Sequence, residues 1–277
     1  MNDWLEVWRG DAPLIVSIPH SGSYIPDEIE KRLVSPWLAR KDADWWVERL
    51  YNFADDLGAT TVRTCLSRTV IDVNRDPSGA SLYPGMATTA LCPTDTFDGE
   101  RLYAEGQEPD EAEIAARRER WFVPYHGALR TEIDRLLALH GKVVLYDAHS
   151  IRSRAPRLFP GELPVFNIGT NSGASCDQTL TAAVEAACEA SGQPMVTNGR
   201  FKGGWITRHY GKPERGIHAV QMELACRGYI DDPSPRITPQ SWPSPYRPLK
   251  AAPMRSVLGD VLKACVDFAS DSQSPPP

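Results

Sequence analysis

The sequence contains no apolar run near the roughly 18 residues that a membrane-spanning helix requires. Its first residues, MNDWLEVWRGDAP, lack the charged-then-apolar order of a secretory signal peptide, so we expect a cytoplasmic protein. Positive charge is also scarce, because 30 lysines and arginines stand against 36 aspartates and glutamates, which gives a net charge of −6. This balance predicts no nucleic-acid partner and no membrane partner.

Several local motifs are missing as well. The six cysteines are scattered and form no C-x-x-C pair, which excludes a zinc ribbon. No G-x-G-x-x-G or G-x-x-x-x-G-K-[ST] motif follows any predicted strand, so a nucleotide-binding protein lacks support. The composition that remains, with 42% hydrophobic and 24% charged residues, is typical of a globular domain with a sizeable core.

Hydrophobic periodicity predicts strands that alternate with helices. The predicted strands cover residues 13–19, 59–65, 69–73, 142–147, 164–169 and 217–224. The predicted helices cover residues 44–58, 110–122, 125–141, 177–192 and 250–269. This alternation is typical of an α/β fold, a three-layer sandwich in which helices flank a mostly parallel mixed sheet. We expect one domain over residues 1–269, a disordered tail over 270–277, and functional loops at 74–110 and 198–216.

Polar residues follow the carboxyl ends of the predicted strands, where ligands bind in an open α/β sheet. The set comprises two histidines, an Asn–Arg pair, a glutamate and two aspartates near the first helix: His20, His149, Asn74, Arg75, Glu223, Asp42 and Asp44. Two imidazoles and one carboxylate form a ligand set for a catalytic zinc ion, which activates water and polarises a carbonyl group. The pattern therefore indicates a metal-assisted hydrolase.

Two further residues fit an amide as the substrate. Glu223 is suited to take a proton from water and pass it to a leaving nitrogen. Arg75, with Asn74 beside it, offers a bidentate clamp for a substrate carboxylate. Taken one at a time, these candidates also have structural explanations. Asp44 can cap a helix, and Arg75 can form an ion pair within the fold.

Longer stretches of the chain resemble the N-formylglutamate amidohydrolases (N-formylglutamate deformylases) of bacterial histidine degradation. They include 19-PHSGSYIP-26, 68-RTVIDVNRDPSGASLYPG-85, 147-DAHSIRS-153 and 217-IHAVQMELACRGYI-230, in order between about residues 12 and 232. This family is similar in fold to the zinc carboxypeptidases and aspartoacylases. The resemblance implies a zinc-carboxypeptidase-like fold and hydrolysis of N-formyl-L-glutamate to formate and L-glutamate.

The resemblance also implies one divalent metal ion, with Zn²⁺ as the expected cofactor and His20 and His149 as ligands. Ser23 stands where the wider group has an acidic ligand, so we expect Asp44 to replace it, with Asp42 as the alternative. Water activated by the metal would attack the formyl carbon. Glu223 matches the general base of the wider group.

Substrate contacts follow from the same resemblance. Asn74 and Arg75 match a carboxylate clamp, and Arg68 and Arg208 are candidates for the second carboxylate of the substrate. The sequence leaves two alternatives: an amidohydrolase for another N-acyl acidic amino acid, and a non-catalytic binder of acidic amino acids. It does not determine whether 198–211 forms a lid, nor the oligomeric state.

Overall fold

The computed structural model describes residues 4–82, 85 and 88–271. Its sheet has seven strands in the order β1-β3-β2-β4-β7-β5-β6. The strands are β1 (Leu5–Trp8), β2 (Leu14–Ile18), β3 (Thr60–Thr64), β4 (Val143–Ile151), β5 (Phe166–Gly169), β6 (Met195–Thr197) and β7 (Ile217–Ala225). Neighbours β3, β2, β4 and β7 are parallel, whereas β1 on β3 and β5 on β7 are antiparallel. The expected mostly parallel mixed sheet is confirmed.

The helices cover both faces of this sheet. They are α1 (Asp27–Glu30), α2 (Val47–Leu50), α3 (Glu111–Arg117), α4 (Val123–His140), α5 (Gln178–Glu189), α6 (Trp205–Tyr210) and α7 (Pro248–Ser270). Helices α5 and α7 bury apolar residues against one face, and α4 and α6 bury theirs against the other. The α/β layering predicted from the alternation of elements is therefore present. No helix in the described part of the chain is both long and apolar enough to cross a bilayer.

The two central strands, β4 and β7, change character along one face. Successive side chains of a strand alternate between faces, so residues two apart share a face. On the face toward α4 and α6, Val143 and Leu145 of β4 join the apolar core, and Ile217 and Ala219 of β7 do the same. At the carboxyl ends of this face stand the polar side chains of Asp147 and His149, beside those of Gln221 and Glu223. The core therefore gives way to a polar site within continuous strands.

Two strand predictions need correction. The predicted strand 142–147 is longer, since β4 continues to Ile151, and His149 lies within the strand instead of after it. The predicted strand 69–73 is wrong, because these residues form buried irregular backbone. Side chains replace a neighbouring strand there: Arg117 Nη1 donates to Val70 O (2.9 Å), and His126 Nε2 lies 2.8 Å from Val73 O. Side chains thus satisfy backbone carbonyl groups of this buried segment, so its β-branched residues need no neighbouring strand.

Helix predictions were closer, with differences at the ends. The predicted helix 44–58 begins only at Val47, because Trp46 adopts a left-handed conformation (φ 68°). It is split at Tyr51 (φ −101°, ψ 7°) into α2 and a 3₁₀ segment, Asn52–Leu57. The predicted break near Pro124 is a π turn, Arg118–Phe122, directly before α4. Helix α7 extends to Ser270, so the predicted tail begins too early. Residues 272–277 of that tail lie outside the described part of the chain.

The sequence did not predict strands β1 and β6, because they are only four and three residues long.

Candidate active site

Three buried side chains, His20, Asp44 and His149, meet at one point. The Nδ1 atoms of the two histidines lie 3.2 Å apart, and Asp44 Oδ2 lies 3.1 Å from His149 Nδ1 and 3.8 Å from His20 Nδ1. A backbone hydrogen bond from Asp44 N to His20 O (2.9 Å) holds the aspartate beside the first histidine. The structure thus brings together the three residues that the sequence indicated as metal ligands.

A buried carboxylate faces the other nitrogen of each histidine. His20 Nε2 lies 2.7 Å from Asp72 Oδ1, and His149 Nε2 lies 2.9 Å from Asp147 Oδ2. Because an ionised carboxylate only accepts hydrogen bonds, each Nε2 carries the proton and each Nδ1 presents a lone pair to the cluster. Carboxylates in this position are the usual partners of metal-binding histidines.

The donor set of the cluster fits a metal ion. Two imidazole lone pairs and one carboxylate oxygen converge on one point, an arrangement that a divalent ion stabilises. Burial and the charge of Arg68 lower the pKa of His20. Burial also opposes a charge on His149, but Asp147 and Asp44 outweigh it and raise the pKa of His149 well above its usual value. The carboxylates around His149 therefore favour a positive charge at the point where an ion would bind.

Asp42, the alternative acidic ligand, is directed elsewhere. Its Oδ2 accepts a hydrogen bond from Phe97 N (2.6 Å), and its Oδ1 lies 3.3 Å from Arg152 Nη2. Asp44 therefore faces the histidines, whereas Asp42 contacts the loop that contains Phe97. Of the two candidates left by the sequence, Asp44 is the one in the cluster.

A cavity of about 60 Å³ opens beside the cluster. Its lining combines polar side chains, arginines and apolar side chains. The polar ones include His20, His149, Ser150, Gln221 and Glu223, the arginines are Arg68, Arg75 and Arg200, and the apolar ones include Phe97, Ile151, Leu158 and Phe201. Guanidinium groups suit anionic parts of a ligand, and the apolar walls suit methylene groups. The cavity is suited to a small molecule with carboxylates on a short aliphatic chain.

Glu223 lies opposite His149 in the parallel register of β4 and β7, and both line the cavity. Burial raises the pKa of Glu223 to about 8, with the charges of Asp44 and Asp147 adding to the effect of burial. Gln221 Nε2 donates a hydrogen bond to Glu223 Oε2 (3.2 Å). A buried carboxyl group that titrates near neutrality, beside a candidate metal cluster, is suited to proton transfer.

Arg68 and Arg75 both line the cavity, but they are engaged differently. Arg68 Nη2 donates to Asp72 Oδ2 (2.6 Å), and its Nη1 lies 3.5 Å from Asp44 Oδ1. Arg75 Nη2 donates to Thr89 Oγ1 (3.0 Å), and its Nε is 3.6 Å from Asp72 Oδ2. Burial would raise the pKa of Asp72, but Arg75, His20 and Arg68 hold it well below its usual value. Arg68 thus contacts both Asp72 and the candidate ligand Asp44, whereas Arg75 contacts only Asp72 of this pair, at a longer distance.

The two remaining predicted contacts, Arg208 and Asn74, differ in their position relative to the cavity. Arg208, on α6, donates from Nε to Gly203 O (2.8 Å) and is not among the described residues that line the cavity. Asn74 does line the cavity, but its amide is engaged within the protein, where Oδ1 accepts from Ile206 N (2.8 Å). Sequence reasoning missed Arg200, which does line the cavity. Its position in the predicted functional loop 198–216 was the available signal.

Comparison with known proteins shows the family of this chain. Residues 12–230 match the family model of N-formylglutamate amidohydrolase. Over 98% of its length, the chain is 44% identical to an N-formylglutamate deformylase of Pseudomonas aeruginosa, 99% of which is covered. An N-formylglutamate deformylase of Pseudomonas putida is likewise 44% identical, with 98% of each protein covered.

Solved structures show the same fold at lower identity. The crystal structure of N-formylglutamate amidohydrolase from Ralstonia eutropha has a TM-score of 0.79 at 21% identity, with 96% of this chain and 98% of that chain covered. A gene product of Agrobacterium tumefaciens has a TM-score of 0.67 at 20% identity, with 97% and 95% covered. From the family match over most of its length and from its curated relatives, the chain belongs to the N-formylglutamate amidohydrolase family.

Proposed function

We propose that this protein hydrolyses N-formyl-L-glutamate to formate and L-glutamate, with one divalent metal ion, Zn²⁺, held by His20, Asp44 and His149. The main support is the convergence of these three ligand atoms beside a cavity that is lined by Glu223 and three arginines. Relatives that are 44% identical over nearly the whole chain carry the name N-formylglutamate deformylase. By resemblance, we also propose a cytoplasmic role in histidine degradation and a sheet related to that of zinc carboxypeptidases.

The reaction adds water across the formyl C–N bond. When bound, the ion would polarise the formyl carbonyl and lower the pKa of water at the site. Glu223 takes a proton from the attacking water and delivers it to the leaving nitrogen, so that a C–O bond forms, the C–N bond breaks and the amine of glutamate leaves. Asp72 and Asp147 hold the ligand histidines in the tautomer that keeps both Nδ1 atoms unprotonated.

The two carboxylates of the substrate require two cationic contacts. We assign them to Arg75 and Arg200, which line the cavity, with the aliphatic chain against Ile151, Leu158 and Phe201. Arg75 is linked through Asp72 to the ligand His20, so it is placed for the carboxylate nearer the scissile bond. Arg200 Nε donates to Leu158 O (2.8 Å), and its guanidinium lies over the Phe201 ring (5.3 Å), which orients it in advance.

Metal content and activity test this proposal together. We expect about one metal ion per chain, and N-formylglutamate hydrolysis that is lost on chelation and restored by Zn²⁺. Formyl, acetyl and succinyl glutamate, compared at equal concentration, test whether the small cavity favours the formyl group. Full activity in chelated, metal-free protein would contradict the metal mechanism, and absence of turnover for all three substrates would contradict the function.

Asp44→Asn and Asp42→Asn form a matched pair for the ligand assignment. Both aspartates are close in sequence and largely buried, but only Asp44 faces the histidines. We expect Asp44→Asn to lose bound metal and activity, and Asp42→Asn to retain metal. The reverse result would move the acidic ligand to Asp42.

A further inference from the structure

The start of α6 is held by two side-chain amides that come from different parts of the chain. Gly204 N donates to Gln221 Oε1 (2.6 Å), and Ile206 N donates to Asn74 Oδ1 (2.8 Å). Both amides are nearly inaccessible, with 4% of Gln221 and 2% of Asn74 exposed. Hydrogen bonds made at such depth are costly to break, because no water replaces the lost partner.

The opposite end of each amide contacts the catalytic groups. Gln221 Nε2 donates to Glu223 Oε2 (3.2 Å). Asn74 Nδ2 donates to Asp147 Oδ2 (2.9 Å), the oxygen that also faces His149 Nε2. Each amide therefore uses its oxygen for the backbone of α6 and its nitrogen for a carboxylate of the site. Only an amide side chain offers an acceptor and a donor at this spacing.

The close approach of α6 depends on Gly204, the residue directly before the helix. A Cβ atom on Gly204 would lie 2.5 Å from Asn74 Nδ2, which no side chain tolerates without a shift. Gly204, Phe201 and Arg200 belong to the segment that forms one wall of the cavity. The wall that contacts substrate and the groups proposed to carry out the reaction are thus joined through two buried amides.

We propose that Gln221 and Asn74 are positioning residues, which align Glu223 and His149 with the cavity wall at the start of α6. This inference rests on the proposed function. It changes the role expected for Asn74, since its amide orients the Asp147–His149 pair instead of clamping a substrate carboxylate. Gln221 has the corresponding role for Glu223, two residues along the same face of β7.

Variants of Gln221 separate the two ends of its amide. Gln221→Glu keeps an acceptor for Gly204 N but replaces the donor to Glu223 with a second carboxylate, and Gln221→Met removes both contacts at similar length. We expect kcat to fall about 10- to 100-fold in both, with KM changed less than about 3-fold and bound metal retained, as for groups that orient catalytic residues. Gln193→Met, at an exposed position, is the control and should keep wild-type kcat.

Asn74→Ala distinguishes positioning from clamping by the choice of substrate. A positioning role predicts the same fold-loss of kcat for N-formylglutamate and for each of its two monoamides. A clamp role predicts a KM effect that disappears with the monoamide lacking the clamped carboxylate. That second pattern would overturn the assignment for Asn74, and an unchanged kcat in Gln221→Met would overturn it for Gln221.

Hydrogen exchange of the Gly204 and Ile206 amides gives a readout that does not depend on turnover. We expect faster exchange at Gly204 in Gln221→Met and at Ile206 in Asn74→Ala, with wild-type exchange in Gln193→Met. Unchanged exchange would overturn the inference even in active protein. If the wild type failed to hydrolyse N-formylglutamate, the proposed function would fail while exchange still decided whether these amides hold α6.

Discussion

His149 and Glu223 lie opposite each other in the adjacent parallel strands β4 and β7, and both side chains line the same cavity. A proposed metal ligand and a proposed proton carrier are therefore positioned by one stretch of sheet. Both strands are buried throughout, so their backbone cannot shift without disturbing the core below. This explains how residues 74 positions apart in the sequence can act on one small substrate.

The carboxylate behind His149 should control metal affinity. Asp147→Asn keeps the shape of the side chain but lets its amide donate to Nε2, which favours the tautomer with a proton on Nδ1. We expect metal affinity about 10- to 100-fold weaker than in the wild type. Competition with a chromophoric chelator measures this, with the exposed Asp267→Asn as control. Equal affinity in the two variants would contradict the role given to Asp147.

Substitutions of Arg200 and Arg208 should differ in their effect on substrate selectivity. Arg200→Gln should lower kcat/KM for N-formylglutamate about 10- to 100-fold, the usual range for a lost charge-assisted contact. The loss should shrink for one of the two monoamides, because the carboxylate that Arg200 contacts is then already neutral. Arg208→Gln should have little effect on any of the three substrates. A loss of kcat/KM in Arg208→Gln but not in Arg200→Gln would instead support the prediction from sequence that Arg208 contacts the substrate.

A buried histidine away from the cavity should make stability depend on pH. Burial lowers the pKa of His126 to about 3 from its ordinary value near 6.5, so the folded protein holds this imidazole neutral. As the pH falls below 6.5, the unfolded chain takes up a proton that the folded chain refuses. The free energy of unfolding should then decrease by up to about 1.4 kcal/mol per pH unit from this group alone.

His126→Gln tests this linkage by urea unfolding at pH 7 and pH 5. Between pH 7 and pH 5, the wild type should lose about 2 kcal/mol more unfolding free energy than the variant. The variant has no imidazole at this position that could take up a proton. His140→Gln, which removes an exposed imidazole, is the control. A difference that does not change with pH would show that His126 is not held neutral.

Two glycines should respond in opposite directions to alanine. Gly204→Ala forces a Cβ to within 2.5 Å of the Asn74 amide, so we expect a loss of about 1–3 kcal/mol in stability together with reduced kcat. Gly127 lies within α4, and an added Cβ meets nothing within 4 Å. Gly127→Ala should stabilise the protein by roughly 0.5–1 kcal/mol through helix propensity. Thermal or urea unfolding and activity assays check both.

Much of the architecture could be predicted from local pattern alone. Runs of apolar residues predicted β2, β3 and β7 nearly to the residue, and Asp177 predicted the start of α5, where its Oδ1 accepts from Thr179 N (2.7 Å). Such features depend on neighbours in the sequence, so periodicity and capping chemistry reveal them. The failure at 69–73 has the opposite cause, because distant side chains of α3 and α4 take the place of a strand partner.

The sequence by itself determined which residue types could form the site and, through the order of its longer stretches, the family to which they belong. Only the tertiary structure placed Asp44 beside the histidines and Asp42 elsewhere, because a backbone hydrogen bond joins Asp44 N to His20 O while Phe97 N donates to Asp42. It alone also paired each histidine with its own buried carboxylate and brought Arg200 into the cavity. These contacts join residues far apart in the chain, and no local pattern encodes distances of that kind.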